Sequence, residues 1–144
     1  MQREIRRGKD SNSLRRRGEA LEVVVPGRAR GIAFGGNLAL IEACAAAGRL
    51  EVPEGCILFL EDCTERPYRI DRMLTSLMVG GHLSRASGIV VGGMTDCPTG
   101  PDGVTVEDVV RERARALALP CVMGAPFGHG VRNDAFVLGD EVEL

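Results

Sequence analysis

The sequence predicts a single α/β domain, and three observations carry that expectation. Short β-branched apolar runs alternate along the chain with segments whose apolar residues recur at helical spacing. Glycine or proline punctuates almost every junction between them. At 144 residues and 44% hydrophobic content, the chain is long enough to bury one core without a metal or disulfide staple.

The elements follow in order. EALEVVV ends at Pro26-Gly27 and reads as a strand. RGIAF reads as a second strand, stopped by Gly35-Gly36. NLALIEACAAAGRL predicts a helix capped by Asn37, with Gly48 past its end. GCILFL is a buried strand that stops at two adjacent carboxylates, Glu61 and Asp62. Pro67 suits the first turn of a helix whose core face is Ile70, Met73, Leu74, Leu77 and Met78, and Gly80-Gly81 ends it. GIVVGG is the next strand. Thr105 with Asp108 opens a helix through VVRERARALAL. CVMGAPFGHG is a short strand running into a glycine-rich turn, and DAFVLGDEVEL supplies one or two terminal strands.

Charge divides the chain. Residues 1–20 hold seven of the 18 basic groups and three acidic ones, a net of +4, which leaves −6 for residues 21–144 within a total of −2. A basic head without aromatic residues, on an acidic body, argues against nucleic acid as a partner. Residues 1–18 read as a flexible head or linker remnant and residues 19–144 as the domain. No run approaches the roughly 18 apolar residues of a membrane span, so the expectation is a cytoplasmic protein with no membrane partner. Five scattered cysteines without a CxxC pair signal neither a disulfide framework nor a zinc site, and no cofactor is expected.

Chemistry is sought at strand ends, where a rigid strand positions groups that a loop exposes. FGGN, LEDC and PFGHG all follow apolar runs. A carboxylate that orients a histidine is two thirds of a hydrolytic triad. These loops offer Glu61, Asp62 and His129, and Asp62 has the simpler reading of a structural acceptor for amides of its own loop. Ser11 and Ser13 lie in the head; Ser76, Ser84 and Ser87 sit on no nucleophile elbow. Cys63 is the one tempting thiol, but adjacent carboxylates disfavour its thiolate. His82 reads as structural, and an ion pair between Asp71 and Arg72 as the simple account of those two.

FGGNL, ILFLED, ERPYRIDRML, GIVVGG and APFGHG, in that order from about residue 20 onward, resemble the C-terminal domain of the LD-carboxypeptidase family of serine peptidases. The resemblance implies a swivelling β/β/α-type domain, a mixed sheet with helices packed on it. It also implies a serine supplied by a separate N-terminal α/β domain, to which Glu61 and His129 add the remaining triad members. Gly35, Gly36, Asn37 and Tyr68 then belong to the substrate-site wall.

Residues 1–18 are too short for the nucleophile domain, so the expected partners are that domain, upstream or on another polypeptide, and a peptide substrate; homodimerisation stays open. Phe34, Phe127 and Tyr68 are expected to face solvent where the second domain docks. The chain alone is expected to be inactive. The alternative is a non-catalytic stranded domain serving association or ligand binding.

Overall fold

The structure, a computed structural model, describes residues 6–7 and 21–144; the rest of the basic head lies outside the described residues. Among the described residues seven strands form one mixed sheet: β1 (Arg6–Arg7), β2 (Glu22–Val25), β3 (Arg30–Asn37), β4 (Cys56–Cys63), β5 (Ala86–Thr95), β6 (Cys121–Met123) and β7 (Glu141–Glu143). Their spatial order is β1-β7-β3-β4-β5-β6-β2. β3, β4, β5 and β6 run parallel, and the outer pairings with β7 and β2 are antiparallel. Three helices, α1 (Leu38–Ala46), α2 (Pro67–Val79) and α3 (Val106–Leu117), make the parallel crossovers.

Both faces of the central strands are buried, which is why β4 reads as a continuous apolar run. Cys56, Leu58 and Leu60 point one way, into a core with Ile70, Leu74 and Leu77 of α2 and Val106 and Val110 of α3. Ile57 and Phe59 point the other way, into a second core with Val90, Phe127, Val142 and Leu144. β3 joins the two layers. Arg30–Ile32 pair with β7, whereas Ala33–Asn37 pair with β4. The small antiparallel sheet of β1, β7 and the start of β3 thus covers one face and the helices cover the other, a β/β/α arrangement.

Local signals place the helices as expected. Asn37 caps α1 by accepting the Leu40 N–H. Pro67 occupies the first turn of α2. Thr105 and Asp108 form a reciprocal capping box on α3.

The strands depart from expectation at their ends. β3 runs through Gly35 and Gly36 to Asn37, because both glycines adopt positive φ (141° and 148°) and remain paired with Phe59 and Leu60. A Cβ on Gly35 would stand 1.9 Å from the Phe59 carbonyl oxygen, so no other residue fits there. β4 continues through both carboxylates to Cys63. One terminal strand forms, and its outer edge is paired with Arg6–Arg7 from the head, where the sequence offered no strand signal. No helix among the described residues is long and apolar enough to cross a membrane.

Candidate active site

Successive residues of a strand face opposite sides, and that alternation separates the two carboxylates at the end of β4. Asp62 shares the parity of Leu58 and Leu60 and faces the helices. Its Oδ1 accepts from Asn37 Nδ2 (3.1 Å) and from the Cys63 amide (2.8 Å), and its Oδ2 accepts from the Ala39 amide (3.0 Å). It ties the end of β3 and the first turn of α1 to β4. A carboxylate at that end of a helix also satisfies orphan amides and the dipole.

Glu61 faces the other layer and meets His129. Nδ1 of the imidazole lies 2.7 Å from Glu61 Oε2. The carboxylate is a pure acceptor when ionised, so Nδ1 carries the proton and Nε2 is left free. The Glu61 side chain is 8% exposed and the His129 ring 54%. The acid is held inside and the base reaches solvent. The hydrogen bond to Glu61, then its charge, raise the imidazole pKa above its ordinary value.

The loop that delivers His129 is anchored by close backbone approach. At Gly92-Gly93 the register between β4 and β5 slips, and the Gly93 amide donates to the Phe127 carbonyl (2.9 Å). A Cβ on Gly92 would stand 2.6 Å from that oxygen. Gly128 crosses directly over Glu61 with φ 113°, where a Cβ would stand 2.8 Å from Oε2. Asn133 Oδ1 accepts the Gly128 amide (3.3 Å), and the Asp134 amide donates to the Pro126 carbonyl (2.7 Å). Phe59, Phe127 and Phe136 pack beneath, with ring centroids 4.6–5.5 Å apart.

Gly35, Gly36 and Asn37 stand at the same carboxyl edge, with Asn37 opposite Glu61 in register. Tyr68 is exposed and lines a groove between α2, α3 and the 100–104 loop; Glu61 and His129 are not among the residues that line it. Phe127 is buried rather than solvent-facing, because the aromatic cluster takes its ring, and Phe34 is partly buried against the helix-side core. Asp71 pairs with Arg113 of α3 (2.6 Å), not with its neighbour Arg72, since consecutive helix residues do not face each other.

The described serines are engaged away from this edge, Ser76 with Glu42, Ser84 with the Gly81 carbonyl and Ser87 with the Gly55 carbonyl. Thr95, unremarked in the sequence, ends β5 beside Cys63, its hydroxyl 3.8 Å from where a Gly130 Cβ would lie. Strand parity and the GG pair before it were the signals available. Among the described residues no group of three or more His, Cys, Asp or Glu could hold a metal ion.

Comparison with known proteins agrees with this architecture. Residues 30–144 match the LD-carboxypeptidase C-terminal domain family. The chain is 40% identical over 120 residues to a Synechocystis protein named as a candidate carboxypeptidase, covering 82% of this chain and 40% of that protein. It is 37% identical over 119 residues to the murein tetrapeptide carboxypeptidase of Pseudomonas aeruginosa, covering 81% and 38%. The solved muramoyltetrapeptide carboxypeptidase of Oxalobacter formigenes superposes with a TM-score of 0.72 at 26% identity, covering 85% of this chain and 47% of that one. The chain spans about two fifths of the length of the curated relatives it matches.

Proposed function

The chain belongs to the LD-carboxypeptidase C-terminal domain family, and on that premise we propose that it supplies Glu61 and His129 to a Ser-Glu-His triad that hydrolyses an amide bond in a peptidoglycan-derived peptide. The observation that carries this reading is the 2.7 Å contact between His129 Nδ1 and Glu61 Oε2. It leaves Nε2 directed away from the acid, with a lone pair and a route to solvent.

In the proposed mechanism a serine from an α/β domain, upstream or on another polypeptide, places its hydroxyl against Nε2. His129 takes the proton as the serine oxygen attacks the carbonyl, then returns it to the leaving amine. Glu61 keeps Nδ1 protonated and stabilises the imidazolium without accepting the proton. Burial of the acid under Gly128 fixes the ring orientation on which both transfers depend. Gly35, Gly36 and Asn37 wall the site beside Glu61, and the compartment consistent with this reading is the cytoplasm.

The test combines the chain with the nucleophile-bearing α/β half of a relative and follows release of the terminal residue from a muramoyl tetrapeptide. Alone the chain is expected to be silent; together the halves turn over, and Glu61→Gln or His129→Ala lowers the rate by about 10⁴-fold. Turnover by the isolated chain, or activity that survives His129→Ala, would refute the assignment.

A further inference from the structure

Gly128 is a glycine because it crosses Glu61: a Cβ there would stand 2.8 Å from Oε2, 3.1 Å from Cβ and 3.3 Å from Cγ of that side chain. The same choice brings a liability. Glycine turns readily between conformations, so nothing in its own backbone holds the φ of 113° from which His129 reaches the acid. With 54% of the ring exposed, packing does not hold it either. The peptide before the ring has to be fixed by its partners.

The peptide unit between Phe127 and Gly128 is gripped on both sides. Its carbonyl accepts the Gly93 amide of β5 (2.9 Å), and its N–H donates to Asn133 Oδ1 (3.3 Å). A peptide is planar, with its N–H and C=O pointing opposite ways. One bond leaves that plane free to turn; two opposed bonds set it. Asn133 is held in its turn by its neighbours. The Asp134 amide closes the loop onto the Pro126 carbonyl (2.7 Å), and Arg132 and Asp134, on either side of Asn133, form a two-pronged ion pair at 3.2 and 2.8 Å. The second leg of the loop props the first. Asn133 is itself exposed and belongs to neither core.

We propose that Asn133 is a positioning residue, which through the Gly128 amide sets the peptide plane leading to His129 and so keeps the imidazole on Glu61. The inference deepens the preceding functional reading and rests on it for the use this geometry serves. Among the described residues Asn133 hydrogen-bonds neither the acid nor the ring, so it acts on the base only through the backbone of Gly128.

Nitrogen-detected NMR of the full chain across a pH titration reads the ring directly. In Asn133→Ala the His129 titration is expected to fall at least halfway toward that of Glu61→Gln, and the neutral ring to lose its preference for a proton on Nδ1. Asn133→Asp keeps an acceptor oxygen at the same reach and should retain the Nδ1 proton. In a Glu61→Gln background Asn133→Ala should add no further shift, because both changes break one contact. A merely structural residue would lower the urea midpoint and leave the ring alone. At a pH above the His129 titration, the midpoint of Asn133→Ala should instead stay within about 0.5 M of the parent's. A ring in Asn133→Ala that behaves as in the parent, loss of the Nδ1 proton in Asn133→Asp, or an equal shift in the Glu61→Gln background each overturns the assignment. If Glu61→Gln itself leaves the ring unmoved, the pairing falls and the role of Asn133 with it. No serine and no turnover enter the readout. Failure of Asn133 alone therefore leaves the Glu61–His129 reading standing, and failure of hydrolysis leaves Asn133 standing.

Discussion

Replacing Asp62 with alanine separates the duties of the two adjacent carboxylates. Asp62 is 2% exposed and accepts hydrogen bonds from Asn37 Nδ2 and the Ala39 amide, both more than 20 residues away in sequence. A hydrogen bond to a charged group contributes roughly 1.5–3 kcal/mol net. Water can reach the first turn of α1, where Leu40 is exposed, so the two long-range bonds together are worth about 3 kcal/mol, the low end of their sum. For a domain of this size that corresponds to a fall in Tm of roughly 10 °C, or a urea midpoint lower by about 1.5 M for an m-value near 2 kcal/mol/M. Thermal and urea unfolding followed by circular dichroism measure both. The same variant is expected to lower the His129 titration only slightly, because the Asp62 charge adds the least to raising it, after the Glu61 hydrogen bond and charge, and Asp62 faces the other layer. A loss below about 1 kcal/mol would show that Asp62 is not the tie between β3, α1 and β4. A His129 shift as large as that caused by Glu61→Gln would show that the carboxylates are not divided by the sheet.

Further outcomes follow from the same geometry. Gly128→Ala imposes a Cβ on a residue at φ 113° and 2.8 Å from Glu61 Oε2, so it should cost about 1–2 kcal/mol in urea unfolding and drive the His129 titration toward that of free imidazole. The folded His129 pKa is raised, so stability from its pairing is fully present below the ordinary imidazole pKa of about 6.5. It is lost as pH rises through the folded value, and the urea midpoints of the chain and of Glu61→Gln should draw together over that interval. Burial pushes the Cys121 thiol up to about 12; Cys121 should resist thiol reagents until the chain unfolds, while exposed Cys44 reacts in the native state, as mass spectrometry of the labelled protein would show.

What was legible in the sequence was local. Asn37, Pro67 and the Thr105–Asp108 box mark helix starts because capping needs only residues within one turn, and the stripe from Ile70 to Leu77 marks a buried face for the same reason. Gly35-Gly36 misled as a stop, since whether glycines end a strand or continue it depends on a neighbour, here the Phe59 backbone. The pairing of Arg6–Arg7 with β7 and of Asp71 with Arg113 joins distant segments and leaves no periodic trace. At the site, the Glu61 and His129 positions came from motif resemblance, and strand parity alone would have told Glu61 from Asp62. The glycines at 92 and 93 were visible as a strand end, but their contact with Phe127 required the fold.

The central claim is that Glu61 holds His129 with Nδ1 protonated and Nε2 free. Nitrogen-detected NMR of the imidazole across a pH titration tests it directly, with only His82 as a second signal. The account predicts a titration above the ordinary imidazole value, a neutral form protonated at Nδ1, and return to an ordinary titration in Glu61→Gln. An unshifted His129 protonated at Nε2, indifferent to Glu61→Gln, would contradict it.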